Sequence, residues 1–435
     1  VTSIDAQRAS TNEEPPSGGS GDLDGTVAQR VRAREQRRFY PEVQALRAVA
    51  IGMVLLFHFG SGIPFVGGGL VGVDVFFVIS GFLISGHLLA ELDRTGRVRL
   101  ADFYARRARR LLPASLSVLL AVAVATALIL PREAWGDAGR SVLASAFYAM
   151  NLYAAHLTAL GGQEAFAALP TVHYWSLSAE EQFYLLWPPL ILLAAAVASW
   201  LGRRGRAVGR VTAVGIALTV VAVVSFVVAL VWTWIDYPVA YFVTVTRVWE
   251  FAAGGLVALL LRRWAPTQRT ATVLRWLGLI LILPGSLLLV LPDVMPGPGV
   301  LPAVAAFPAP LAVPAVLGTA LVIIAGGTRP GSFLDRVVKW RPTQWLGLIS
   351  YSVYLWHWPL VPLTEALLGQ MGAPVRIALL ALSLLLGHVW QRWVEDASRY
   401  VPGMKQSTRM SLWAALAGML VVGGVGLLLA VAGGS

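Results

Sequence analysis

The sequence predicts an all-α fold, a polytopic bundle of membrane-spanning helices, and three observations carry that expectation. Hydrophobic residues make up 57% of the 435 positions and charged ones only 13%, about half the charged share of a soluble domain. Mean hydropathy is +0.69. Apolar runs long enough to cross about 30 Å of hydrocarbon recur along the chain, and the segments between them alternate between arginine-rich and nearly arginine-free.

Residues 1–38 include "TNEEPPSGGSGDLDG", polar and rich in Gly, Pro and Ser, and read as a disordered cytoplasmic tail. The first apolar run follows an arginine-rich stretch and lacks a small-residue cleavage site, so it reads as a span and not as a cleaved signal. Spans are expected near 44–60, 69–92, 111–130, 176–201, 211–234, 247–262, 273–291, 311–326, 346–366, 374–394 and 411–432. Arginines at 30–38, 94–110, 203–210, 262–275, 329–341 and 399–409 belong on the cytoplasmic side. The two kinds of connection alternate correctly if these eleven runs span and a twelfth, 138–158, is a re-entrant or surface-lying helix. With twelve spans, "RRGRAVGR" at 203–210 would fall outside. The expected topology therefore has the N terminus inside and the C terminus outside, in a bacterial cytoplasmic membrane. A domain of ten spans covers 39–400, and a linker with one further span covers 401–435.

The net charge of +11 does not imply nucleic acid, because the arginines flank apolar runs as membrane topology requires. Cysteine is absent, which excludes disulfides, thiolate metal sites and a cysteine nucleophile. No H-E-x-x-H spacing occurs, so no metal is expected, and no G-x-S-x-G suggests a serine triad.

An ionisable side chain at mid-bilayer costs about 2.5–3.5 kcal/mol, so each one needs a reason. In "RAVAIGMVLLFH", Arg47 and His58 stand eleven positions apart, about 20° past three full turns and about 16 Å along one helix face. A long ligand lying along the helix could touch both. The plainer alternative is that Arg47 snorkels to the interface and His58 is a satisfied core residue. Asp74 lies in the next span. "HYWSLSAEEQFYLLWP" contributes His173, Ser176, Glu180 and Glu181, "TRVWEFAAGG" an Arg247–Glu250 pair, and "SYSVYLWHWPL" Tyr351, Tyr354 and His357. "DFYARRARRLLP" holds Arg106, Arg107, Arg109 and Arg110, whose guanidinium forks suit phosphate oxygens. With Pro113 read as opening the third span, the cluster is expected at a helix start, where the dipole also favours anions.

These motifs in order resemble the integral-membrane acyltransferase family 3, which includes polysaccharide and peptidoglycan O-acetyltransferases. The resemblance runs from about Tyr40 to Arg399 and rests on "YPEVQALRAVAI" with its Arg/ten-residue/His spacing, "GGLVGVDVFFVISGFLI", "FYARRARRLLP", "HYWSLSAEEQFYLLWP", "RVWEFAAGG" and "ISYSVYLWHWPL". It implies transfer of an acyl group, usually acetyl, from cytoplasmic acyl-CoA to a hydroxyl of an extracytoplasmic sugar or glycolipid. His58 matches the family's essential histidine and Arg47 its partner. The four arginines match a motif that engages CoA phosphate, and Glu181 belongs to a further characteristic segment. His58 would act as general base or carry the acyl group itself. Which of Asp74, Glu181 or Arg47 orients it or stabilises an oxyanion stays open. Relatives often read "VE-x-P-x-R" where this chain has "WVEDASRY". Many continue past the eleventh span into an SGNH-type esterase-like domain, so a separate extracytoplasmic partner of that kind is one alternative here.

A transporter or flippase for an acylated sugar or lipid is the main rival reading. It would account for buried charge but gives the arginine cluster no role beyond topology, and no inverted repeat is visible. A lipid-linked glycosyltransferase would want acids in the first outer loop, whereas "SGIPFVGG" has none.

Overall fold

A computed structural model describes residues 41–60, 67–161, 168–205, 208–288, 307–327, 330–399 and 407–434. The expected disordered tail and most of the linker before the last helix lie outside the described residues. Among those described the chain is helical, with no strand. In order come α1 (Pro41–Phe59), α2 (Gly72–Thr95), α3 (Leu100–Ile129), α4 (Arg132–Ala146), α5 (Met150–Ala159), α6 (Tyr174–Arg203), α7 (Arg210–Phe242), α8 (Val248–Leu260) and α9 (Gln268–Leu288). They are followed by α10 (Val313–Ala325), α11 (Phe333–Lys339), α12 (Arg341–His357), α13 (Leu360–Leu368), α14 (Ala373–Trp390) and α15 (Thr408–Gly433). Among the described residues, seven helices are long and apolar enough to cross a membrane: Pro41–Phe59, Gly68–Thr95, Leu100–Ile129, Tyr174–Arg203, Arg210–Phe242, Ala373–Ser398 and Thr408–Gly433. Leu128, Trp234 and Ile235 on such helices are exposed, as lipid-facing side chains would be.

Where two helices must approach closely, glycine makes room. A Cβ on Gly81 of α2 would collide with the Phe251 carbonyl of α8, and one on Gly254 would collide with the Val78 carbonyl. This is the small-residue packing of membrane helices, which have no hydrophobic drive toward each other in lipid. Gly139 of α4 and Gly426 of α15 make a similar crossing.

Prolines break the helix ladder at several points, and at three of them a side chain repairs the damage. A proline removes the N–H that would bond the carbonyl four residues back. Pro113 lies inside α3 and frees the Arg109 carbonyl, which accepts from Ser398 Oγ at 3.1 Å. Pro189 in α6 frees Leu185, which accepts from the Tyr104 hydroxyl at 2.8 Å. Pro359, between α12 and α13, frees Leu355, which accepts from His173 Nε2 at 3.1 Å. Such repair is what makes interior proline tolerable in a medium without water.

Three local expectations change. The run at 346–366 is two helices separated at Trp358–Pro359, because Pro359 cannot extend the ladder. The run at 138–158 is likewise two helices, divided at Tyr148, whose φ of 52° is left-handed. Finally, α3 begins at Leu100, so the arginines occupy its second and third turns and do not sit at a helix start. The "WVEDASRY" stretch winds as a π turn over Gln391–Glu395, which leaves Glu395 buried and accepting from Ser352 Oγ at 3.3 Å.

Candidate functional site

A cavity of about 300 Å³ runs along one face of α2, touching Val73, Phe77, Ser80, Ile84, His87 and Glu91 in turn. The eighteen positions from Val73 to Glu91 span about 27 Å of helix, close to the thickness of a bilayer's hydrocarbon. One end is charged: Arg106, Arg107, Arg110 and Glu91 line it, and Arg106 is exposed. Apolar walls follow, from Leu83, Phe103, Leu111 and Phe76. Ser176 and Tyr354 close the other end, their hydroxyls 2.6 Å apart, and Tyr354 also donates to the His173 carbonyl at 3.1 Å.

Arginines and carboxylates face each other inside this slot. Arg107 pairs with Glu181 at 3.5 Å and lies flat over the Tyr184 ring, 3.2 Å from its centroid, a cation–π contact that helps hold a half-buried charge. Arg106 pairs with Glu91 at 3.6 Å. Arg47 also reaches the slot and donates from Nε to Ser350 Oγ at 3.1 Å. Glu180 accepts from Ser80 and Tyr184. Tyr148, at the left-handed break before α5, adds a hydroxyl with no hydrogen-bond partner among the described residues. Four cations meet three carboxylates, so the slot suits an anion with an extended, largely apolar arm.

His58 does not line the slot. It sits beyond the closed end, where its ring meets His357 at 5.0 Å and Trp358 at 4.8 Å between centroids. The ring contacts that lead there from the slot run from Tyr354 to His357 at 5.0 Å and from His357 to His58. His58 Nδ1 is 3.0 Å from the Val54 carbonyl. A carbonyl can only accept, so Nδ1 carries the hydrogen and Nε2 keeps its lone pair in the neutral ring. The open path expected from the arginines to His58 is thus interrupted by one layer of side chains, held by the Ser176–Tyr354 hydrogen bond.

Two expected site residues lie elsewhere. Asp74 accepts from Arg247 at 2.7 Å, and Glu250 stands 3.2 Å from the same guanidinium, all three fully buried. Phe77, Trp175, Tyr241 and Phe307 surround that guanidinium at 5.2–5.7 Å. Asp74 is therefore committed to Arg247 and not to His58. Arg109 turns away from the slot and donates to Ser411 of α15 at 2.8 Å. Ser80, Glu91, Tyr148 and Tyr184 carried no sequence signal that set them apart from ordinary helix residues. Among the described residues no group of three or more His, Cys, Asp or Glu could hold a metal ion.

Comparison with known proteins adds a family. An acyltransferase domain matches residues 40–390. The chain is 28% identical to peptidoglycan O-acetyltransferase OatA of Listeria monocytogenes, over 89% of this chain and 62% of that protein. It is 29% identical to the putative peptidoglycan O-acetyltransferase YrhL of Bacillus subtilis, over 78% of this chain and 51% of the relative. It is equally 29% identical to O-acetyltransferase OatA of Staphylococcus aureus, over 87% and 60%. The chain thus spans about half to three-fifths of the length of these relatives. No solved structure matches it.

Proposed function

The chain belongs to the acyltransferase family that this domain defines, and we propose that it is a membrane O-acyltransferase. In this reading it moves an acyl group, acetyl in the first instance, from acyl-CoA at the inner face of a bacterial cytoplasmic membrane. The acceptor is a hydroxyl of an envelope glycan or glycolipid outside. The topology is the eleven-span one, with the arginine-rich connections inside.

The observation that carries this reading is the slot itself, charged at one end, following α2 for about 27 Å past apolar walls, and ending one ring layer short of His58. Arg106 and Arg110 hold the phosphates of CoA, for which guanidinium forks are suited. The pantetheine arm lies along α2, and Arg47 stands partway along it. When the Ser176–Tyr354 contact opens, the thioester reaches His58. The bare Nε2 takes the proton from the acceptor hydroxyl. The oxygen bonds to the thioester carbonyl carbon, the C–S bond breaks, and the proton finally neutralises the thiolate. Only the acyl group crosses.

Envelope material from a deletion strain is the test. Base-labile acetate should fall on deletion and return with the wild-type gene but not with His58→Ala. Unchanged acetate on deletion would reject the activity, and restoration by His58→Ala would reject the base.

A further inference from the structure

We infer that His357 shares the reaction's proton with His58, acting as a second imidazole between the base and the donor slot. This rests on the reading of His58 as base given above.

Both rings are built alike. His357 donates Nδ1–H to the Tyr354 carbonyl at 2.6 Å, as His58 does to Val54 at 3.0 Å, and each leaves Nε2 as a lone pair. His357 is fully buried, and its Nε2 has no hydrogen-bond partner among the described residues. A buried imidazole kept only for packing normally has its polar atoms satisfied. Its ring touches His58 on one side and Tyr354, a slot residue, on the other, both at 5.0 Å. His173, 5.4 Å from His357, also leaves one nitrogen, Nδ1, without a partner, but its N–H mends the Leu355 carbonyl that Pro359 frees, which gives it a structural reason to be there.

The chemistry gives such a neighbour work to do. The proton is released on the acceptor side of His58 and is needed on the CoA sulfur, which arrives from the slot side. It moves from the acceptor oxygen to His58 Nε2; His357 Nε2, which has no partner at rest, then closes on it, takes the proton and gives it to sulfur as the C–S bond breaks. One O–H and one C–S bond are lost, one C–O and one S–H bond are made, and no further reactant is required. Dividing the proton's stay between two rings also shortens the time either one is charged in a poorly solvated site.

The test uses the full chain in membranes of its own deletion host, which supply the acceptor, with radiolabelled acetyl-CoA as donor. His357→Asn and His357→Gln can keep the hydrogen bond to Tyr354 but cannot take up a proton. Expected are acetyl-CoA affinity within about twofold of wild type, transfer lowered by about 10²-fold, and a larger solvent deuterium isotope effect on the residual rate. Wild-type transfer by either variant overturns the inference. So does a fall in donor affinity that matches the fall in transfer, or failure of both variants to accumulate, since each of these makes the ring a packing element. Transfer that survives His58→Ala would instead reject His58 as the base, the reading on which this inference rests, whatever His357 does.

Discussion

The imidazole at position 58 holds one nitrogen against its own helix and keeps the other bare, at a place the slot reaches only through Tyr354 and His357. In the proposed function, replacing it by alanine removes the base and leaves the lining of the slot untouched. His58→Ala should lower acyl transfer about 10²–10⁴-fold and leave acetyl-CoA affinity, measured by calorimetry, unchanged. The arginines divide differently. In the sequence Arg106, Arg107, Arg109 and Arg110 look equivalent, but at 100° per residue the first, second and fourth fall within about 100° of one another and Arg109 lies outside that arc. The structure places those three on the slot and Arg109 on Ser411. Arg106→Gln with Arg110→Gln should weaken acetyl-CoA binding at least about tenfold, since each charge-assisted bond is worth about 1.5–3 kcal/mol. Arg109→Gln should leave that affinity intact. At this scale the residue types of the site were legible, whereas the contact between His58 and His357 was not. The two are joined only by the packing of α1 against α12, and no spacing in the chain encodes it.

Helices here depend on side chains from distant segments to mend the carbonyls that proline leaves open. Ser398→Ala removes the hydroxyl from which the Arg109 carbonyl accepts and should cost about 0.5–1.5 kcal/mol. The same substitution in a Pro113→Ala background should cost markedly less, because the restored N–H supplies the missing partner. A double-mutant cycle on detergent melting measures that coupling, and equal costs in both backgrounds would dismiss the repair. The prolines themselves were visible in the sequence. Their consequences were not, because Ser398, Tyr104 and His173 reach the broken helices from far along the chain. For the same reason 346–366 reads as one apolar run yet folds as two helices. Hydropathy weighs Trp358 and Pro359 by their affinity for lipid and takes no account of a lost donor.

Taken together, the described helices enclose a slot that follows α2 for about 27 Å and stops short of His58. Every apolar run identified in the sequence appears as helix among the described residues, because periodic hydrophobicity of that length has few other solutions in lipid. The slot could not be foreseen, since it depends on which helix faces meet. Its seal gives a further expectation. Tyr354→Ala removes the ring that stands between the slot and His357, so hydrolysis of acetyl-CoA without acceptor should rise several-fold over wild type when thiol release is followed, while Tyr354→Phe, which keeps the ring but loses the hydrogen bond to Ser176, should raise it less.

The Ser176–Tyr354 hydrogen bond carries a burden unrelated to the reaction. Cells hold a voltage across their cytoplasmic membrane worth about 2.3 kcal/mol per unit charge for each 100 mV. In the proposed topology, a slot about 27 Å deep and open to water on the inside would concentrate most of that voltage across its last few ångströms. The Tyr354 ring and its hydroxyl pair would then stand against ion leakage, and a cell making an unplugged variant should show depolarisation and slowed growth even with no acetyl donor to spend.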